Sequence, residues 1–426
     1  MEYSLSSKES LRGDITIPPD KSLSHRAVMF NSLADGKANI SNFLMGEDCL
    51  STISVLRDLG VKIEVSDNNV TTYGKGINSL SKPDKILDVG NSGTTIRLMS
   101  GILAGRNFDC TLDGDSSIRK RPMNRIIKPL NMMGANISAN NNNDNAPIHF
   151  NGGNLKRIDY SLPVASAQLK SSLILAGLRS ENGIKIKEKA TSRDHTERLL
   201  RNMGADIITN GLEITVNPSE IESRDIIVPG DISSASFWLV AACIHNDAEL
   251  TIRNVGINKT RSGIISVLER MGASIEFFNE KDYSGEPACD IFVKTSSLKS
   301  TEISGSEIPL LIDEIPIIAL AAVFAEGQTK IIDAEELRYK ESDRISLTVN
   351  WMKKAGAIVE ELQDGMIITG NQTINGGNFS SNGDHRLAMT LGIASLVSKN
   401  DIIVTNPEAS NVSYPGFWEY LNNLED

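Results

Sequence analysis

A unit of about seventy residues recurs six times along the chain, and this recurrence constrains the fold more than any single motif does. Its best-kept part is a short junction. Leu56-Arg57-Asp58-Leu59-Gly60-Val61, Leu130-Asn131-Met132-Met133-Gly134-Ala135, Leu200-Arg201-Asn202-Met203-Gly204-Ala205 and Leu268-Glu269-Arg270-Met271-Gly272-Ala273 share one pattern, and Trp351 to Ala357 is a fifth copy. Glycines 60, 134, 204, 272 and 356 lie 74, 70, 68 and 84 residues apart. Glycine takes the left-handed backbone at a helix end without a Cβ penalty, so each copy predicts an amphipathic helix stopped at Gly. A β-branched, alternating segment follows, as at 61–65 and 273–277, with the pattern of a sheet covered on one face.

Each unit carries a second, more apolar helical segment upstream, predicted at 24–33, 94–103, 166–176, 234–244, 315–324 and 385–396. Ser or Asp near several of these starts suits an N-cap. A strand is predicted after each, for example at 38–40 and 249–252. The sixth unit is divided between the chain ends. Residues 414–424 resemble the start of a repeat helix, and the strand it should lead into is expected from residues 14–17, which places both ends in one domain.

At 426 residues the chain is too long for one ordinary core. Pro18-Pro19 and Pro229-Gly230 bracket three units, giving an inserted domain at 19–229. A second three-unit domain takes 1–18 plus 230–426, with the active-site cleft expected between the two. The fold class is therefore α/β, six repeated units in two domains. The longest apolar run, 315–325, is well short of the roughly 20 residues that span a bilayer. The first residues are acidic and polar with no signal-peptide core, and four cysteines lack any paired spacing, so a reduced, cytoplasmic setting is expected. Five scattered histidines predict no metal. The net charge of −11 disfavours nucleic acid and makes local basic clusters informative. The Asn-rich stretch 139–145 reads as a surface hairpin tip.

Those clusters sit where loops enter helices. Lys21, Ser22 and Arg26 open the first apolar helix. Asn91-Ser92-Gly93-Thr94 opens the second, with small residues that admit an anion to backbone N–H groups. Arg119, Lys120, Arg121 and Arg125 crowd the segment 113–125. Ser166-Ala167-Gln168 opens the third helix, and Ser192-Arg193-Asp194-His195 follows it. Lys340, Arg344 and Arg386 belong to the other domain. A cation at a helix N-terminus opposes the helix dipole, so its recurrence at equivalent points implies a separate gain, such as closing on a polyanion. Two carboxylates lie in the same regions. Asp313 precedes the most apolar helix, where it equally suits an N-cap. Glu341 lies between Lys340 and Arg344, where it equally suits an i,i+3 ion pair.

Together these segments resemble the 5-enolpyruvylshikimate-3-phosphate synthase family over essentially the whole chain. The resemblance rests on six ordered motifs at 20–26, 91–97, 117–123, 166–171, 192–197 and 337–344. It implies a two-domain, inside-out α/β barrel of βαβαββ units, with buried helices and outer sheets. It implies transfer of the enolpyruvyl group of phosphoenolpyruvate to the 5-hydroxyl of shikimate 3-phosphate, with release of phosphate and no cofactor. It also implies a cytoplasmic monomer in aromatic amino-acid and chorismate biosynthesis, with no membrane or nucleic-acid partner. Carried over by motif, Lys21, Ser22, Arg26, Ser166, Gln168, Arg193, Asp313 and Lys340 would contact shikimate 3-phosphate. Lys21, Gly93, Arg121, Gln168, Arg344 and Arg386 would contact phosphoenolpyruvate. Asp313 would take the 5-hydroxyl proton and Glu341 would handle the C3 proton, with Lys340 and Lys21 assisting. The chain departs from some members at Ala167, where they carry Ser, and at Val412-Ser413, where they carry Lys before the aromatic-Pro pair. The sister enzyme acting on UDP-N-acetylglucosamine is disfavoured by Ser116, where it typically has a reactive Cys. A non-enzymatic scaffold binding a phosphometabolite is disfavoured by the presence of Asp313 and Glu341.

Overall fold

The computed structural model describes residues 2–423; Met1, residues 424–426 and the side chains of Asn141 and Asn143 lie outside the described residues. The predicted segment 414–424 is thus described up to 423, where it forms the helix Phe417–Asn423.

Among the described residues six sheets form, and five share one order of four strands. In the first, strand Asp35–Ser41 has Ile226–Ile227 as a parallel neighbour on one side. On the other side come Asn69–Lys75 and then Lys62–Ser66, both antiparallel to their neighbours. The local cause is the two-helix pattern. Apolar helix Lys21–Leu33 feeds the strand Asp35–Ser41, and amphipathic helix Glu47–Asp58 feeds the hairpin. The five junction glycines have φ between +90° and +102°. An L side chain adopts that backbone only at a cost, so Gly sets the sharp exit from helix to hairpin.

The apolar helices are Lys21–Leu33, Gly93–Leu103, Ala167–Gly177, Ile232–Ile244, Ile315–Phe324 and His385–Ser395. All thirteen residues of Ile232–Ile244 are buried, as are Ile315 through Val323. Each such Leu or Ile contributes about 1.5–3 kcal/mol relative to exposure, so these helices contribute strongly to both cores. Five of the six begin at a capping side chain: Asp20, Ser92, Ser166, Asp231 or Asp384 accepts a backbone N–H of the first turn. Helices Gly93–Leu103 and Ala167–Gly177 touch at Gly101, where a Cβ would lie 2.0 Å from the Ser172 carbonyl oxygen.

The chain divides into two compact units. Unit 1 holds the residues up to Pro18, Pro229–Asp282 and those from Pro287 onward; unit 2 holds Pro19–Val228 and the short turn Tyr283–Glu286. Each contains three sheets and one continuous apolar core.

One expectation is overturned. Residues 14–17 do not complete the sixth sheet. Strand Leu11–Thr16 instead runs parallel to Ala248–Gly256 in the fourth sheet. The sixth sheet, Gly377–Ser380 with Ile402–Thr405, is joined by Glu2–Leu5, antiparallel to Ile402–Thr405. The physical reason lies in the longer strand. Its six-residue pairing buries Leu11 and Ile15 and sets Arg12 against Glu249 at 3.1 Å and Asp14 against Arg253 at 2.7 Å. The N-terminal segment that joins the sixth sheet is Glu2–Leu5, one strand earlier than predicted.

Candidate active site

In unit 2 the predicted residues gather at helix starts. Asp20 caps helix Lys21–Leu33 through the Leu23 N–H at 2.8 Å, which offsets the unfavourable placement of Lys21 at the first position. The same device recurs in unit 1, where Asp343 and Asp384 cap the helices that present Arg344 and Arg386. Lys21 Nζ lies 3.3 Å from Asp48 Oδ2. Arg26 is buried: Nη1 donates to the Ser22 carbonyl at 3.0 Å, Nε to Thr196 Oγ1 at 2.7 Å and Nη2 to Ser171 Oγ at 2.9 Å. Burial, reinforced by the nearby charge of Arg193, lowers its pKa to about 10, and Glu197 and Asp20 resist that shift. Arg193 is thus close enough to repel Arg26, but burial is the larger cause, and the carboxylates of Glu197, Asp20 and Glu286 hold the guanidinium charged.

A second group in unit 2 surrounds Gly93. A Cβ at Gly93 would lie 2.7 Å from Arg121 Nη1 and 3.2 Å from Arg97 Nη1. Arg121 Nη2 donates to Asn91 Oδ1 at 2.7 Å, and Arg97 Nη1 donates to Gln168 Oε1 at 2.6 Å. Gln168 Nε2 in turn donates to Thr94 Oγ1 at 3.1 Å. Ser166 is occupied as an N-cap, accepting the Leu169 N–H at 3.4 Å. Of the four basic residues in the segment 113–125, Arg119 is an exposed partner of Asp113 at 2.6 Å.

The two groups are linked by a buried polar chain. His25 Nδ1 meets Thr52 Oγ1 at 2.7 Å, Thr52 meets Thr95 Oγ1 at 2.7 Å, and Thr95 donates to Ser92 Oγ at 2.7 Å. Burial first, then Lys21 and Arg26, push the His25 pKa well below its ordinary value, so the ring is neutral in this chain of hydroxyls.

In unit 1 the predicted carboxylates Asp313 and Glu341 converge on Arg344, whose side chain is 1% exposed. Its Nε donates to Asp384 Oδ2 at 2.9 Å, Nη1 to Asp313 Oδ1 at 3.1 Å and Nη2 to Glu341 Oε2 at 2.6 Å. Burial opposes its charge, but the carboxylates of Asp384, Glu341 and Asp313 outweigh burial and hold its pKa above the ordinary value. Lys340 Nζ lies 3.4 Å from Asp313 Oδ1. Arg386 Nη1 donates to the Ser233 carbonyl at 3.1 Å.

The alternatives read from sequence resolve differently. Asp313 is not an N-cap: Glu314 occupies the capping position of helix Ile315–Phe324 without a side-chain cap bond. Buried Glu314 instead faces Ser233 and Arg261, and Pro316 removes one of the first-turn N–H groups that a cap would meet. The i,i+3 pair of Glu341 with Arg344 forms, but on a buried guanidinium rather than a solvated one. Sequence reasoning passed over Arg97 and Asp384, although both lie inside or beside motifs it singled out. It also passed over Arg261, with Asp231 at 3.0 Å and Glu314 at 3.4 Å. Among the described residues no group of three or more His, Cys, Asp or Glu is arranged to hold a metal, and no helix is long and apolar enough to cross a membrane.

Comparison with known proteins agrees over the full length. The family model for EPSP synthase (3-phosphoshikimate 1-carboxyvinyltransferase) matches residues 5–421. The 3-phosphoshikimate 1-carboxyvinyltransferase of Thermoanaerobacter sp. (strain X514) is 50% identical over 425 residues, covering 100% of both chains. That of Bacillus subtilis (strain 168) is 50% identical over 418 residues, covering 98% of both. A solved EPSP synthase from Acinetobacter baumannii superposes with a TM-score of 0.89 at 41% identity, covering 99% of this chain and 98% of that one.

Proposed function

This chain belongs to the EPSP synthase family of 3-phosphoshikimate 1-carboxyvinyltransferases, and from that premise we propose how its residues carry the reaction. The enzyme transfers the enolpyruvyl group of phosphoenolpyruvate to the 5-hydroxyl of shikimate 3-phosphate. C3 of phosphoenolpyruvate gains a proton while the 5-hydroxyl oxygen loses one and bonds to C2. The tetrahedral intermediate then expels phosphate and a C3 proton, leaving the enol ether. Two groups that each act as acid and base suffice.

Asp313 takes the 5-hydroxyl proton and Glu341 exchanges the C3 proton. The observation that carries this assignment is their shared anchoring: both carboxylates rest on the one buried Arg344 guanidinium, with Lys340 beside Asp313. A buried Arg with fixed fork geometry orients two carboxylates with little freedom. Lys340 offsets charge as the 5-oxygen becomes nucleophilic. Shikimate 3-phosphate draws on Lys21, Ser22, Arg26, Ser166, Gln168 and Arg193 of unit 2. Phosphoenolpyruvate draws on Lys21, Gly93, Arg121 and Gln168 of unit 2 and on Arg344 and Arg386 of unit 1. Arg97 joins this group through its bond to Gln168. We read the enzyme as a cytoplasmic monomer that needs neither cofactor nor nucleic acid.

The test is phosphate release from phosphoenolpyruvate with and without shikimate 3-phosphate. Release that depends on shikimate 3-phosphate is expected. Release that ignores it and responds to UDP-N-acetylglucosamine, or no release with either acceptor, would overturn the reading.

A further inference from the structure

Lys170 lies in the middle of helix Ala167–Gly177 with its side chain 1% exposed. A lysine is rarely buried to this degree, because desolvating its ammonium is costly unless all three N–H groups find partners. Here they do. Nζ lies 3.1 Å from Glu188 Oε2, 2.8 Å from Glu197 Oε1 and 3.2 Å from the Ser192 carbonyl. Neither the substrate contacts nor the proton transfers assigned above use any of these groups.

What the three ionic groups hold is more telling than the ion pairs themselves. Glu188 Oε1 accepts from the Ser192 N–H at 3.2 Å and from Ser192 Oγ at 2.5 Å. Ser192 is thus gripped at its N–H, its hydroxyl and its carbonyl, and the next residue is Arg193. Glu197 lies in the first turn of helix His195–Asn202, next to Thr196. Thr196 Oγ1 meets Ser171 Oγ at 2.6 Å, and this pair receives Nε and Nη2 of Arg26. Two adjacent cross-links therefore join the helices: Lys170 to Glu197, and Ser171 to Thr196. The first supports the second, and the second sets the plane of the Arg26 guanidinium. One turn upstream on the same helix stand Ser166 and Gln168.

We infer that Lys170, Glu188 and Glu197 are positioning residues that fix the shikimate 3-phosphate groups of unit 2, Glu188 through Ser192 onto Arg193 and Glu197 through Thr196 onto Arg26. This inference rests on the substrate assignment above. A buried ion pair kept for stability alone is replaceable by apolar side chains with little loss. A positioning device is not, because its second set of hydrogen bonds ends on the loop that presents the ligand-binding cation.

The experiment compares the full-length wild type with Glu188→Gln and Ser192→Ala. It measures the Kd for shikimate 3-phosphate by calorimetry, KM for each substrate, kcat at saturation, and the melting temperature. Glu188→Gln is expected to raise Kd and KM for shikimate 3-phosphate on the order of tenfold, the loss of a charged hydrogen-bond anchor. KM for phosphoenolpyruvate and kcat should stay within about twofold, since neither depends on the Ser192 grip. Ser192→Ala, which keeps all three ionic groups and so avoids an uncompensated charge, is expected to raise Kd about threefold by losing one hydroxyl bond. A folded Glu188→Gln with Kd within twofold of wild type overturns the inference. So does a parallel rise in both KM values with a fall in melting temperature, which marks a purely structural role. Should Glu188→Gln not fold, an unchanged Kd in Ser192→Ala overturns it alone. Wild type that binds no shikimate 3-phosphate sinks the substrate assignment and this inference together; wild type that binds it beside indifferent variants sinks the inference only.

Discussion

Replacing Gly101 by Ala should destabilise unit 2, against the usual preference for Ala in helices. Within an exposed helix the exchange gains up to about 1 kcal/mol, because Gly loses more backbone freedom on folding. At Gly101 the new Cβ would sit 2.0 Å from the Ser172 oxygen, 2.7 Å from its carbonyl carbon and 2.8 Å from its Cα. These are backbone atoms in the middle of helix Ala167–Gly177 and cannot rotate aside. Ordinary contact needs roughly 3.5 Å, so the two helices must part by about 1.5 Å along a buried face. Overpacking of this kind costs about 3 kcal/mol. Parting the helices also strains the Arg97–Gln168 and Gln168–Thr94 bonds, each contributing about 1 kcal/mol. The net expectation is a loss of about 2–4 kcal/mol, read by equilibrium urea unfolding followed by far-ultraviolet circular dichroism. Because Gln168 is one of the residues we propose to contact phosphoenolpyruvate, KM for that substrate should rise in parallel. A variant as stable as wild type, or more so, would refute the argument that backbone contact at Gly101 sets the helix spacing.

Gly93→Ala makes the opposite prediction for stability. Its Cβ meets the movable ends of Arg121 and Arg97, so unfolding free energy should stay within about 0.5 kcal/mol while KM for phosphoenolpyruvate rises and Kd for shikimate 3-phosphate holds; an unchanged KM in steady-state kinetics would contradict it. Glu341→Gln should lower kcat by about three orders of magnitude with Kd for shikimate 3-phosphate nearly intact, measured by phosphate release and calorimetry; normal turnover would remove Glu341 from proton transfer. His25 has a folded pKa depressed below its ordinary 6.5 by burial, Lys21 and Arg26. As pH falls below 6.5 the unfolded chain takes up a proton that the folded one refuses, so stability declines by up to about 1.4 kcal/mol per pH unit from this group. His25→Asn should flatten that part of the urea-unfolding pH profile; an identical slope would show that His25 protonates in the folded state.

The repeat was legible because its signals are local. A Gly at the end of each amphipathic helix has one conformational meaning, and φ values near +90° at 60, 134, 204, 272 and 356 express it. The starts of the apolar helices were legible to within a few residues, because Ser or Asp near several of them suits a cap; the side chains that cap five of them are Asp20, Ser92, Ser166, Asp231 and Asp384. Strand exchange at the N-terminus was not. Leu11–Thr16 and Glu2–Leu5 are both short, and the choice between them depends on partners more than two hundred residues away. Nor did the patterning show that Lys170, Glu197 and Arg344 are buried, since a charged residue on a helix reads as solvated until its partners are placed. The Asp313 cap failed for a related reason: the capping position belongs to Glu314, whose carboxylate faces Arg261 and Ser233 instead.

The return of Ile226–Ile227 to the side of Ile40 and Ser41 has an evolutionary corollary. Pro18 also accepts a hydrogen bond from the Asp231 N–H at 2.9 Å, so the points where the 19–228 stretch leaves and rejoins the rest of the chain are neighbours. A ring whose ends meet can be spliced into a host loop without disturbing either partner's pairing. Duplication of a three-fold ancestor followed by nesting of one copy inside the other would leave this connectivity, with Glu2–Leu5 and Leu11–Thr16 as the stub of the interrupted host.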